Sequence, residues 1–347
     1  MNNIALFQNN RNWQDIRENV WQLVDEDNAN GLAQNTRLVQ RLESRLAEQY
    51  GRGHCVTTAS CTDALIIALI CLNLPQGALV AVTNYTFIAT AHAIRRAGYQ
   101  VHTVDVNHNY CIDPTQIPAD ARAVVVADMF GNMSNWSELD KLGIPIINDA
   151  AQSMESRNGT WSVKCGDISC VSFSPSKPIS SWGSGGALFT DDIQVAARAR
   201  ALRLHGKYHS KHAAHHTGLN SMINSFEAAA IWTCLDRADS WHRRREHIAR
   251  YLACSTKITC VTDFDIERNG FQKLVFQTND QSGYIQHLYD HGVATTIHYL
   301  PLINDEPLYH RDAVLARSRE LCQKSFTVPN QHTLTDEEVE QIAKALK

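Results

Sequence analysis

Leu79-Val80-Ala81-Val82, Ala123-Val124-Val125-Val126-Ala127 and Ile144-Pro145-Ile146-Ile147 are short apolar runs, most of them rich in β-branched residues. Runs of that length read as buried strands. They alternate with helical stretches at 62–72 and 86–97, the rhythm of βαβ units around a mostly parallel sheet. The expected fold class is therefore α/β. Working outward, 13–24 and 36–50 read as helices, the second because Val39, Leu42 and Leu46 recur at helical spacing. Downstream, 168–171 and 187–190 read as strands and 192–204 as a helix. A long helix over 225–252, ending in Arg243-Arg244-Arg245-Glu246, is expected to carry the chain into a second domain of α+β texture. That domain should contain strands at 273–278 and 294–297. Thr335-Asp336-Glu337-Glu338 forms a capping box that opens a last helix. The expected division is a large domain over 1–235 and a small one over 236–347.

Composition excludes several functions. The 32 Lys+Arg set against 36 Asp+Glu leave a formal charge of −4, so no basic footprint for nucleic acid exists. Hydrophobic residues at 44% and charged residues at 20% fit a folded globular chain rather than a disordered one. No apolar run has the length of a membrane span, and Met1-Asn2-Asn3-Ile4 lacks the blocks of a signal peptide. A cytoplasmic location is expected. The ten cysteines show no CxxC pair and sit in apolar stretches, as buried thiols do in a reducing compartment.

Three places suggest chemistry. Lys177, in Ser172-Phe173-Ser174-Pro175-Ser176-Lys177, follows a strand end and precedes Gly183-Ser184-Gly185-Gly186. Alone it reads as a solvated lysine. The glycines precede a strand, whereas a dinucleotide fingerprint needs them before a helix, which disfavours NAD. They allow either a tight turn or the close passage of backbone past a bound group. Asp149 ends the run Ile146-Ile147-Asn148, where open α/β sheets keep ligands; it meets a cation there or caps the next helix. In Thr57-Thr58-Ala59-Ser60-Cys61-Thr62-Asp63-Ala64-Leu65 a strand end turns into an apolar helix. Its first turn offers free N–H groups to an anion, unless Ser60 or Thr62 simply caps it.

In this order, Thr62-Asp63-Ala64-Leu65, Tyr85-Thr86-Phe87-Ile88-Ala89-Thr90, Asp149-Ala150-Ala151-Gln152, Ser172-Phe173 with Lys177, Gly185-Gly186, His205-Gly206 and Gly218-Leu219-Asn220 resemble the DegT/StrS-type sugar aminotransferases. The resemblance runs from the first helices to His298-Tyr299. It implies the aspartate-aminotransferase-like fold of the PLP-dependent transferases, with pyridoxal 5′-phosphate as cofactor. It further implies that Lys177 forms the internal aldimine and shuttles the proton, and that Asp149 pairs with the pyridine nitrogen. Gln152 would meet the phenolic oxygen and Phe87 would stack on the ring. Cys61, Thr62 and Ser172 would hold the phosphate, with Asn220 reaching it from a neighbouring subunit. The substrates implied are a keto sugar, nucleotide-linked, and an amino-acid donor such as glutamate. A shared site implies a homodimer.

Three residues depart from the family pattern: Cys61 stands where glycine is common, Met222 where arginine is usual and Glu227 where glutamine is frequent. Met222 cannot bind an anion, which weakens the phosphate cup from that side. A PLP-dependent sugar dehydratase is disfavoured because such relatives carry histidine in place of the lysine. A non-catalytic, PLP-holding regulatory protein is disfavoured because the cofactor residues are all present. His205, His209, His212, His215 and His216 include a spacing suited to a metal on a helix. The intervening Gly206, Lys207 and Gly218 argue instead for a loop, so no metal is expected.

Overall fold

The computed structural model describes residues 3–28, 36–207, 214 and 216–347. Helices α1 (Asn9–Asn28) and α2 (Arg37–Gln49) lead into β1 (His54–Thr58) and α3 (Cys61–Cys71). The βαβ stretch follows as β2 (Leu79–Thr83), α4 (Ala89–Arg96), β3 (Gln100–Val104), β4 (Ala123–Ala127), α5 (Trp136–Leu139) and β5 (Ile146–Asp149). A two-stranded ribbon, β6 (Arg157–Asn158) with β7 (Thr160–Trp161), precedes β8 (Ile168–Ser172), β9 (Gly186–Thr190) and α6 (Ile193–Leu202). The long helix α7 (Ser225–Cys254) leads to β10 (Thr259–Cys260), β11 (Leu274–Gln277), α8 (Gln281–Asp290), α9 (Ala316–Lys324), β12 (Ser325–Val328) and α10 (Asp336–Ala345).

Seven strands form the main sheet in the order β1-β9-β8-β5-β4-β2-β3. The run β8-β5-β4-β2-β3 is parallel throughout, and β9 is antiparallel to both its neighbours. This is the α/β class with a mostly parallel central sheet. Strand β4 shows why its sequence is a solid apolar run: Val125 packs on one face of the sheet and Val124 and Val126 on the other, all fully buried. Helix α3 is apolar all round because it lies inside, with Leu65, Ile67, Ala68 and Leu69 buried between the sheet and its neighbouring helices. On the opposite face α1, α2 and the first half of α7 pack over Val171, Ala187 and Phe189. Arg203 and Glu43, both buried, form an ion pair under β1, and Arg203 also donates to the Thr57 carbonyl oxygen at 2.8 Å. That pair anchors the strand that feeds α3.

A second core surrounds the three-stranded sheet β10-β11-β12, built from Leu274, Phe276, Phe326 and Val328 with α10. Ile248, Ala249 and Leu252 of α7 belong to it, while Ala228 to Ala230 belong to the first core. The division expected at 235/236 thus falls inside one continuous helix. Ile4, near the other end of the chain, also packs in this second core, and its N–H donates to Gly292 O at 2.8 Å. The strand expected at 294–297 is reduced to one isolated bridge from Thr296 to Thr327 on the edge of β12. The capping box at Thr335 and Glu338 opens α10 as expected.

Candidate active site

The C-terminal ends of the parallel strands open on a cavity of about 470 Å³, within the size range of small-molecule sites. Asp149 is the last residue of β5 and pairs in register with Cys170 of the adjacent parallel strand β8. Five residues beyond the end of β8, Lys177 sits in a turn closed by its own N–H on Ser174 O at 2.9 Å. Both side chains line this cavity, together with Cys61, Thr62, Phe87, Gln152 and Ser172. Asn220 is not among the lining residues: it is exposed, and its backbone bridges Leu204.

Asp149 is buried and hydrogen-bonded, with no salt bridge among the described residues. Thr90 Oγ1 donates to Oδ2 at 2.7 Å, and the Ala151 N–H donates to Oδ1 at 3.2 Å. Burial pushes the carboxyl up from its usual range, opposed by those two donors and by the nearby Lys177. A cation at this point would restore the carboxylate. The Lys177 amine is pushed down, chiefly by burial, with Cys61 and Asp149 acting the other way. Such an amine has a larger neutral fraction at neutral pH than a free lysine, which is what a nucleophile or base needs.

The first turn of α3 also lines the cavity, with Cys61 Sγ 4.0 Å from Asp149 Oδ1. Ser60 caps α3, accepting from the Asp63 N–H at 3.1 Å. One cap satisfies one donor, so the N–H groups of Cys61 and Thr62 still lack an intrahelical acceptor. The capping and anion readings are therefore compatible. The glycine pair has a reason of its own: a Cβ on Gly186 would lie 2.4 Å from Cys61 N. The close passage it permits is of β9 against the first turn of α3, the chain's own backbone.

Thr90 and Tyr299 belong to family-like stretches without a role implied for either. Thr90 orients Asp149 from α4. Tyr299 accepts from Gln152 Nε2 at 2.7 Å, while Gln152 Oε1 accepts the Phe130 N–H at 3.0 Å, so the amide is held at both ends. Phe87, 54% exposed, stands at the rim with its ring centroid 5.5 Å from that of Tyr299. Lys273, His298 and Phe7 also line the cavity. The departure at Glu227 is structural: its Oε2 accepts the Asn224 N–H at 3.0 Å and completes the capping box of α7. Among the described residues no group of three His, Cys, Asp or Glu gathers as metal ligands, and no helix is long and apolar enough to cross a membrane. His209, His212 and His215 lie outside the described residues.

A mostly parallel sheet, with a lysine after one strand and a carboxylate at the end of its neighbour, defines the fold class of the pyridoxal-phosphate transferases. The chain belongs to the DegT/DnrJ/EryC1/StrS aminotransferase family, whose model matches residues 14–347. It is 29% identical over 292 residues to a UDP-2-acetamido-2-deoxy-3-oxo-D-glucuronate aminotransferase of Pseudomonas aeruginosa, covering 78% of each chain. It is 28% identical over 327 residues to a UDP-N-acetyl-3-dehydro-α-D-glucosamine 3-aminotransferase of Acidithiobacillus ferrooxidans, covering 88% of this chain and 87% of that one. A crystal structure of a family member from Brucella abortus superposes with a TM-score of 0.93 at 23% identity, covering 99% of this chain and 98% of that one. Pyridoxal 5′-phosphate is the family's cofactor. The donor set fits it: a buried amine with no acceptor among the described residues, a buried carboxylate that a cation would balance, and the first-turn N–H groups of α3 for a phosphate.

Proposed function

We propose that this protein transfers an amino group from an amino acid, with glutamate as donor, to a keto sugar carried on a nucleotide. The observation that carries the reading is the sharing of one buried cavity by Lys177 and Asp149 at the ends of adjacent parallel strands. The two curated relatives, named for UDP-linked 3-oxo and 3-dehydro sugars, support a nucleotide-linked 3-keto sugar as acceptor.

When bound, pyridoxal 5′-phosphate supplies an electron sink for the carbon that gains or loses the amine. Lys177 would hold the cofactor through Nζ, and its amine would carry the proton to and from the reacting carbon. Asp149 would hold positive charge at the ring nitrogen, and Thr90 keeps the carboxyl in place and favours its ionised form. Gln152, fixed by Tyr299 and Phe130, would meet the phenolic oxygen, and Phe87 would stack on the ring. The N–H groups of Cys61 and Thr62 and the Ser172 hydroxyl bind the phosphate. Asn220, which lies away from its own cavity, serves the cavity of a second copy, so the working unit is a homodimer. Residues 1–235 and 236–347 act as large and small domains; the separate core around β10-β11-β12 supports a second unit, although Ala238 and Trp241 stay in the first core, Ile4 joins the second, and Tyr85, Tyr110 and Phe130 share a core with Val275 and Leu302.

The test is turnover. Purified holoenzyme mixed with L-glutamate should lose its cofactor absorbance near the aldehyde form and gain that of the amine form, then recover it on addition of either UDP-linked 3-keto sugar. No spectral change with any amino acid would refute the catalytic reading and favour a regulatory protein.

A further inference from the structure

Lys273, just before β11, is 7% exposed and lines the same cavity as Lys177. Among the described residues it has no salt bridge and no hydrogen-bond acceptor. Its ammonium lies over the face of Phe7, whose ring centroid is 4.0 Å from Nζ. A ring face attracts an ammonium but does not neutralise it, and a buried unpaired charge is costly. The neighbouring ionisable groups do not compensate. Lys177 is a like charge, and His298, pushed down to about 3 by burial and by both lysines, is neutral. The position is built rather than incidental. Gln272 Nε2 donates to Ser176 O at 3.1 Å, tying the segment that carries Lys273 to the turn that carries Lys177.

We propose that Lys273 is a specificity-determining residue that binds a carboxylate of the molecule reacting at Lys177. A carboxylate beside Lys273 supplies the missing counter-charge, and Phe7 closes over the pair on the N-terminal side. The burial that makes the free ammonium costly strengthens its bond to an anion. This inference rests on the aminotransferase reading and names the chemistry its ligand must carry. Two sources supply a carboxylate: the amino-acid donor, or a sugar oxidised to the uronate.

The test uses Lys273→Met and Lys273→Arg holoenzymes, with two half-reactions followed by cofactor absorbance. One is the amine-forming reaction with L-glutamate. The other is the return reaction with UDP-2-acetamido-2-deoxy-3-oxo-D-glucuronate against UDP-N-acetyl-3-dehydro-α-D-glucosamine, which differ in having a carboxylate or a hydroxymethyl group. A charge-assisted hydrogen bond corresponds to a loss of roughly tenfold to a hundredfold in Lys273→Met. If the donor is the source, the half-saturating glutamate concentration rises by that factor and the two sugars are affected alike. If the sugar is the source, glutamate is unaffected and the preference for the uronate falls by that factor. In either case Lys273→Arg retains most of the binding. Unchanged glutamate and sugar constants in Lys273→Met overturn the proposal. So does a fall in maximal rate alone, equal for both sugars, which marks a proton-transfer or packing role. A wild-type holoenzyme that reacts with no donor overturns the parent reading instead.

Discussion

Thr90 Oγ1 donates a 2.7 Å hydrogen bond to Asp149 Oδ2, joining the first turns of α4 to the end of β5. The hydroxyl favours the ionised carboxyl against the burial that opposes it. Replacing Thr90 by valine keeps the shape and removes the donor. Activity should fall roughly tenfold at neutral pH, the worth of one hydrogen bond to a charged group. Because the donor lowers the Asp149 pKa, its loss raises it, and the acidic limb of the pH–rate profile should move to higher pH. A profile unchanged in both height and position would count against this role.

Asp149→Asn retains the hydrogen-bonding shape and removes the charge. Cofactor binding should persist in part while turnover drops by at least about a hundredfold, the scale seen when one pre-organised electrostatic group is removed. Cofactor content from absorbance, measured beside turnover, separates the two effects. Near-normal turnover would contradict the pairing with the ring nitrogen.

Gly186→Ala places a methyl group 2.4 Å from Cys61 N and from Ser60 C, both backbone atoms that cannot swing aside. Overpacking of this kind costs about 1–3 kcal/mol, and here the strain falls on the first turn of α3. The variant should have a lower Tm and weaker cofactor affinity, read by thermal melts with and without added pyridoxal 5′-phosphate. A melt and affinity equal to wild type would show that the turn has room to move.

Burial and Lys177 push the Lys273 amine down to about 7 from its ordinary 10.5. Between those two values the unfolded chain binds the proton more readily than the folded one. Stability without a carboxylate ligand should therefore decline as pH falls from about 10.5 to about 7 and level off below. Lys273→Met removes this cost, so its Tm should exceed that of wild type at pH 7 and approach it at higher pH. A Lys273→Met melt below wild type at pH 7 would show the amine to be paired.

Much of this arrangement is legible in the chain because its signals are local. The run Ala123-Val124-Val125-Val126-Ala127 announces a strand buried on both faces, and the spacing of Val39, Leu42 and Leu46 a helix with one buried stripe. Lys177 and Asp149 stand after strand ends among neighbours with a recognisable pattern. Contacts between distant segments leave no such mark. Thr90 meets Asp149 across 59 positions, and Gln272 meets Ser176 across 96. Lys273 reads as an ordinary lysine until the fold sets Phe7, Lys177 and His298 around it. The strand expected at 294–297 fails for the converse reason. Its β-branched residues have the propensity, yet only Thr296 lies within reach of β12.

The central claim is a covalent bond at one of two lysines in a single cavity, and borohydride reduction followed by peptide mass spectrometry tests it most directly. Reducing the holoenzyme should fix a phosphopyridoxyl group on the peptide containing Lys177 and leave Lys273 unmodified. Label on Lys273, or on neither lysine, would contradict the account.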